Sequence, residues 1–362
     1  MLRVRAALGP LLVLAAVAAM LTPVPEATAT AVAPVDRGPA YQPALQAPGV
    51  VTLVFSGDIS PPTNEFKGDD HATAELVLSI RPNLVCTAGD NQYETGTAAM
   101  FEAASGFDGS WGKFHGLIKC PAEGNHDAAD PGPGSPGFQR YFAPHLTNLP
   151  CQQLSPPCRP DLGYYDLDVP GTSWYILVLN SNCQRAGGGT GDVQTPSCAS
   201  GSPQLEWLAF AMGRRHGGQT SGLKCSIAFW HHERWGTSFF ADDPAMHQAW
   251  LLLNHFHNDI VGSGHTHSTG RLGAMTPQGT LSPTGSGMRQ ITAGAAGRSL
   301  TPVRVNPPRV GTRYRDNTKY GVNVLTLRSS TSPAGWQGGD WTSEFRYVDG
   351  TVADRASAGC WP

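Results

Sequence analysis

Three short apolar runs, each ending in an acidic or amide residue behind a glycine, constrain this chain more than anything else in it. Val50-Val51-Thr52-Leu53-Val54-Phe55 leads into Ser56-Gly57-Asp58, and Leu84-Val85-Cys86-Thr87-Ala88 leads into Gly89-Asp90-Asn91. Leu117-Ile118-Lys119-Cys120-Pro121 leads into Glu123-Gly124-Asn125-His126-Asp127. The intervals of 32 residues from Asp58 to Asp90 and 35 from Asp90 to Asn125 each suit one strand–helix–strand unit. Residues 71–80 read as the first connecting helix, closed by Arg81-Pro82. Runs this apolar form strands covered on both faces, and open α/β sheets build their sites at the carboxyl ends of such strands.

The remainder extends the pattern. Residues 164–169 and 174–179 read as a hairpin turning at Pro170-Gly171, and 204–212 as a helix. Residues 227–230 form a strand leading to His231-His232, 245–256 an amphipathic helix, and 259–261 a strand leading to Gly264-His265-Thr266-His267. Residues 290–292 and 321–327 are expected to close a second sheet. Residues 128–160 carry eight prolines and read as a long surface loop over the site, in or after which Arg140, Tyr141 and His145 read as ordinary loop residues, with contact to substrate as the alternative. The expected fold is α/β, a single domain over 49–362 with two packed sheets flanked by helices. Trp111, Trp174, Trp207 and Trp250 read as core anchors.

The first 29 residues read as an export signal of the Sec type, with Arg3 and Arg5, an apolar run over 11–21, and the small-residue site Ala27-Thr28-Ala29. Residues 30–48 are Ala/Pro-rich and read as a disordered lead-in. The apolar run is short for a bilayer span, and no later stretch reaches the roughly 18 residues a membrane helix needs. An exported chain reaches an oxidising compartment, and its eight cysteines are even in number. Cys151/Cys158 and Cys183/Cys198 bracket local loops and are expected to pair, while Cys86 and Cys120 read equally as a bridge or as buried thiols. With 25 basic and 28 acidic side chains there is no electrostatic footprint for nucleic acid. A secreted protein, extracellular or cell-wall associated, acting on a small molecule is the expectation.

The chemistry lies in the strand ends. Asp58, Asp90, Asn125, His231 and the pair His265/His267 each follow an apolar run. A cap or Asx turn accounts for one such residue and not for His-x-His. Mixed Asp/Asn/His ligation suits zinc, manganese or iron. Gly57-Asp58, Gly89-Asp90-Asn91, Gly124-Asn125-His126-Asp127, His231-His232 and Gly264-His265-Thr266-His267, in this order, resemble the calcineurin-like metallophosphoesterase superfamily over roughly residues 50–327. The first motif, Asp58-Ile59-Ser60, lacks the usual Asp-x-His, and Tyr93 follows Asp90 by three residues, which is similar to purple acid phosphatases.

That resemblance implies a dinuclear centre, with Asp58, Tyr93 and His267 on Fe³⁺ and Asp90 bridging. Asn125, His231 and His265 would hold the second ion, Fe²⁺, Zn²⁺ or Mn²⁺. It further implies a small phosphoester substrate, attack by a hydroxide held between the ions, an acidic optimum, and an acid phosphomonoesterase activity. His126 would contact the phosphate or leaving group with Asp127 orienting its imidazole, and His232 would bond substrate. A phosphodiesterase on nucleotides or lipid head groups is the alternative within the fold, and a non-catalytic secreted binding protein the alternative outside it. Glu233-Arg234 stands where the superfamily usually has proline after the paired histidines.

Overall fold

The computed structural model describes residues 43–61, 68–130, 134–183, 197–216, 225–238, 242–303, 308–331 and 337–361. The expected export signal and residues 30–42 of the lead-in lie outside these. Among the described residues the chain runs β1 (Val50–Ser56), α1 (Asp70–Ile80), β2 (Leu84–Ala88), α2 (Ala98–Phe101), β3 (Ile118–Ala122) and α3 (Pro136–Leu146). It continues through β4 (Tyr165–Asp168), β5 (Trp174–Val178), α4 (Pro203–His216), β6 (Cys225–Phe229), α5 (His247–His255) and β7 (Ile260–Ser263). Then come β8 (Thr269–Met275), β9 (Met288–Ala293), β10 (Thr312–Asp316), β11 (Gly321–Thr331), β12 (Gln337–Tyr347) and β13 (Val352–Gly359).

These strands form two mixed sheets, one of six in the order β13-β12-β11-β1-β2-β3 and one of seven in the order β10-β8-β9-β7-β6-β5-β4. Each has a parallel heart, β1-β2-β3 in the first and β5-β6-β7-β9 in the second, with antiparallel strands outside it. The apolar runs read from sequence make up these hearts: every residue of β2, β5 and β6 is buried. The sheets meet through such residues. The Phe55 and Phe229 rings stand 5.1 Å apart across the gap, and Trp174 Nε1 donates to the Arg328 carbonyl at 3.0 Å. Between the two phenyl rings lies Gly262, where an added Cβ would come within 2.5 Å of Phe229. Trp111, Trp174, Trp207 and Trp250 are buried in the core as expected.

Helix α1 starts one residue earlier than read and stops at Arg81, whose left-handed backbone (φ 56°) donates back to the Val77 carbonyl ahead of Pro82. Two expectations need correcting. Residues 128–160 are not simply a loop. Pro136 opens α3 at its first turn, and Phe138, Tyr141, Phe142 and Leu146, at helical spacing, are all buried. Proline content marked the turns on either side and masked that stripe. Residues 321–327 do not close the second sheet either. As part of β11 they lie antiparallel against β1 in the first sheet, from Val50 opposite Arg328 to Phe55 opposite Asn323. Register across distant strands is set by packing that no local pattern encodes.

All eight cysteines pair. Cys151–Cys158 and Cys183–Cys198 close the expected local loops, and Cys86–Cys120 joins directly opposed residues of β2 and β3. The fourth bridge, Cys225–Cys360, spans 135 residues and fastens the segment after β13 to the first residue of β6, tying one sheet to the other. A loop of that length confines the unfolded chain most. The double variant Cys225→Ala/Cys360→Ala is expected to lose about 2–5 kcal/mol in equilibrium denaturation. An unchanged midpoint would mean that the sheets hold together without it.

Candidate metal centre

The strand ends of both sheets converge. Asp58 follows β1, Asp90 and Tyr93 follow β2, and Asn125 follows β3, all from the first sheet, while His231 follows β6 and His265 and His267 follow β7, from the second. The Tyr93 hydroxyl lies 2.8 Å from Asp58 Oδ1, 2.9 Å from Asp90 Oδ2 and 3.1 Å from His267 Nε2. His267 Nε2 is 3.4 Å from Asp58 Oδ1. On the other side of Asp90, the same Oδ2 is 3.2 Å from His231 Nε2, which is 3.2 Å from His265 Nδ1. Asp90 Oδ2 thus belongs to two donor groups at once. Asn125 Oδ1 is buried with no hydrogen-bond partner among the described residues, the state expected of an oxygen whose partner is an ion. Two imidazoles are aimed from behind. His231 Nδ1 lies 2.8 Å from the Ala88 carbonyl and His267 Nδ1 3.0 Å from that of Ser299, so both turn Nε2 inward.

Close approach explains the glycines that precede Asp58, Asp90, Asn125 and His265. A Cβ on Gly124 would fall 2.0 Å from the Asp90 nitrogen, and one on Gly89 2.5 Å from His231 Nδ1. Asp58, Asp90, His265 and His267 themselves adopt left-handed backbone, with φ of 58°, 50°, 74° and 44°. Each such residue costs about 1–2 kcal/mol against ordinary backbone, and four together are held by the strands behind them.

The electrostatics is that of a site waiting for positive charge. Burial and the neighbouring Asp90 carboxylate push Asp58 up to about 8, although the charge on His231 works against them. Asp90 is also buried, yet His231 beside it holds it well below the usual carboxylate range. His231 is lifted to about 9 because Asp90 and Asp58 outweigh its burial. Burial lowers His267 to about 4 and, with both aspartates, keeps the Tyr93 phenol well above 10. The protein alone therefore balances one buried carboxylate with one imidazolium and keeps the other carboxyl protonated.

Beyond the donors, His126 donates its backbone N–H to Asp90 Oδ1 at 2.8 Å, and its ring stands 4.3 Å from that of Tyr93. Its Nδ1 faces Glu94 instead of Asp127. The Asp127 carboxylate accepts from the backbones of Asn91, Gln92 and Gly124 and from Asn91 Nδ2, pinning the loops after β2 and β3 together. His232 Nδ1 lies 2.8 Å from Ser181 Oγ, with its ring 4.3 Å from that of His265. Arg140 pairs with Glu102, Tyr141 donates to Asp108 and His145 faces His115. Glu233 turns inward, accepting from Thr292 and Thr237, and burial lifts it to about 7. Sequence reading missed Glu94, Arg298, Ser181 and Asn182, which donates to the Gly124 carbonyl. The run Asn180-Ser181-Asn182 straight after β5 is one more polar strand end and was the available signal.

The sign of the pH response follows. Asp58 at about 8 against 3.8 and His231 at about 9 against 6.5 both bind protons more tightly in the fold than in the unfolded chain. The unfolded chain holds fewer protons across that window, so stability falls as pH rises. His267 acts in the opposite direction, but only between about 4 and 6.5. Metal-free protein is therefore expected to melt several degrees lower at pH 8 than at pH 6.5, measured by scanning calorimetry in chelator. A flat or rising profile would contradict this charge arrangement.

No family model matches the chain, and no curated protein matches it in sequence. Solved structures do. Purple acid phosphatase PPD1 from yellow lupin (Lupinus luteus) seeds superposes with a TM-score of 0.58 at 17% identity, covering 87% of this chain and 54% of the lupin chain. The chain thus spans about half of that protein's length. GAP50, described as the anchor in the inner membrane complex of Plasmodium, gives 0.55 at 10% identity over 86% of this chain and 89% of its own. PhoD gives 0.50 at 10% identity over 87% and 70%. With its paired mixed sheets and helical flanks, this chain has the calcineurin-like metallophosphoesterase fold.

Proposed function

We propose that this chain is an exported phosphoric monoester hydrolase that works with two metal ions. Asp58, Tyr93 and His267 would hold one ion, Asn125, His231 and His265 the other, with Asp90 between them. The observation that carries this reading is the contact of six oxygen and nitrogen donors around Asp90, whose Oδ2 is common to both groups, with the Asn125 oxygen at the end of β3 buried and without a hydrogen-bond partner among the described residues. Such a donor set fits iron, zinc or manganese. Cations there supply Lewis acidity toward a phosphoryl oxygen and neutralise charge at both ends of an in-line displacement. The protein's own groups do the rest. Backbone carbonyls fix the imidazoles, Asp127 locks the loops, and His126 and His232 stand beside the donors to meet substrate. Four disulfides support export.

Tyr93 argues for a trivalent ion in the first position. Its phenol sits among two carboxylates in a buried site, and only a strong Lewis acid ionises it there. Iron(III) bound by Tyr93 is the proposed occupant. Protein purified with its metals should show iron and a broad visible band that Tyr93→Phe removes. A colourless protein holding two zinc or manganese ions would return Tyr93 to a packing role. Asp90→Ala should take metal content below one ion per chain and lower turnover of 4-nitrophenyl phosphate by about 10³-fold. Full activity in that variant would defeat the dinuclear reading, and faster turnover of a diester than of a monoester would move the substrate class.

A further inference from the structure

Glu94 gathers two side chains that stand beside the donors. Its main-chain carbonyl lies 2.7 Å from His126 Nδ1, and its carboxylate Oε2 lies 3.3 Å from the same nitrogen. Its Oε1 accepts from Arg298 Nη2 at 2.8 Å. Both partners are also anchored at their backbones to the two buried aspartates. The His126 N–H donates to Asp90 Oδ1 at 2.8 Å, and the Arg298 N–H to the Asp58 carbonyl at 2.9 Å. Both lie against one ring, His126 at 4.3 Å and the Arg298 guanidinium at 4.8 Å from the Tyr93 centroid. Loops following β2, β3 and β9 therefore meet at a single carboxylate. That carboxylate is 39% exposed, and a pair so placed adds little to folding stability. What it does add is a fixed orientation for the His126 imidazole, whose Nδ1 faces Glu94 and neither Asp58 nor Asp90.

We propose that Glu94, braced by Arg298, is the positioning residue of His126. It commits Nδ1 and so presents Nε2 to the leaving oxygen of a bound phosphoester, an assignment that rests on the hydrolase reading above. As a water oxygen bonds to phosphorus and the bond to the leaving oxygen breaks, Nε2 gives its proton to that oxygen. The imidazole, its Nδ1 hydrogen still on Glu94, regains a proton from the water that attacked. General acid help of this kind matters for an alkoxide and little for a nitrophenolate, which leaves unaided.

The test compares glycerol 2-phosphate with 4-nitrophenyl phosphate in metal-loaded protein. Glu94→Ala is expected to lower kcat on the alkyl ester by about 10–100-fold, with a loss on the aryl ester at least tenfold smaller and KM little changed on either. In a His126→Ala background the same substitution should cost nothing further. Equal losses on the two esters, or losses that add to those of His126→Ala, would overturn the assignment. A second readout needs no turnover. In metal-free protein, diethyl pyrocarbonate should modify His126 several-fold faster in Glu94→Ala than in wild type, with His71 on the surface as the internal reference. An unchanged rate would overturn the assignment. Wild-type protein that turned over neither ester while showing that acceleration would defeat the hydrolase reading and leave the positioning of His126 standing.

Discussion

Two carboxylates buried side by side are the constraint from which the rest of this structure follows. Asp58 and Asp90 share the Tyr93 hydroxyl, and neither is open to solvent. In a low-dielectric interior their repulsion is not screened, so both cannot stay ionised unless positive charge is brought in. The protein brings in one imidazolium at His231 and leaves Asp58 protonated. A cation pair would replace those protons with a stronger and more permanent charge. Metal uptake is then a proton-releasing event, and the acidity of the surroundings sets how readily the ions stay bound.

Holding such a site requires rigid supports, and the two sheets provide them. Every proposed donor except Asn125, which follows the edge strand β3, stands just beyond a strand hydrogen-bonded on both sides, so the strained left-handed residues have no easy way to relax. The glycines between strand and donor let neighbouring segments approach closely, within one sheet at Gly124 against Asp90 and between sheets at Gly89 against His231. The candidate ligands are thus held by the core behind them, and the loops above them carry Glu94, Arg298 and Asn182.

Much of this was legible in the sequence for one reason: strands buried on both faces are written as unbroken apolar runs, and the residue after each run is the one the fold delivers to the sheet's edge. The six candidate ligands at strand ends could be read in that way, whereas Tyr93 was singled out only through family resemblance. What escaped reading depends on contacts between residues far apart. Helix α3 was hidden because Pro131, Pro133, Pro136 and Pro144 outweighed the stripe of Phe138, Tyr141, Phe142 and Leu146. The placement of β11 beside β1 pairs residues 268 apart at Phe55 and Asn323 and 278 apart at Val50 and Arg328, and no window of sequence contains it. Glu94 looked like an ordinary loop acid, and Asp127 like the natural partner of its neighbour His126, because adjacency in sequence says little about which carboxylate an imidazole finally faces.

The Cys225–Cys360 bridge also sets an order of events. Every proposed donor lies between Asp58 and His267, yet β1, which carries the first of them, has its outer flank covered by β11, and β6, which leads to His231 and pairs with β5 and β7, is also bound at its first residue to Cys360. A nascent chain that has already exposed all seven still lacks β11 beside β1, β9 beside β7 and the cysteine that pairs with Cys225. The supports behind Asp58 and His231 are therefore complete only once synthesis has passed the final strand and oxidation has closed the link. A chain retained in a reducing compartment would carry the full set of ligands with one of its fastenings undone.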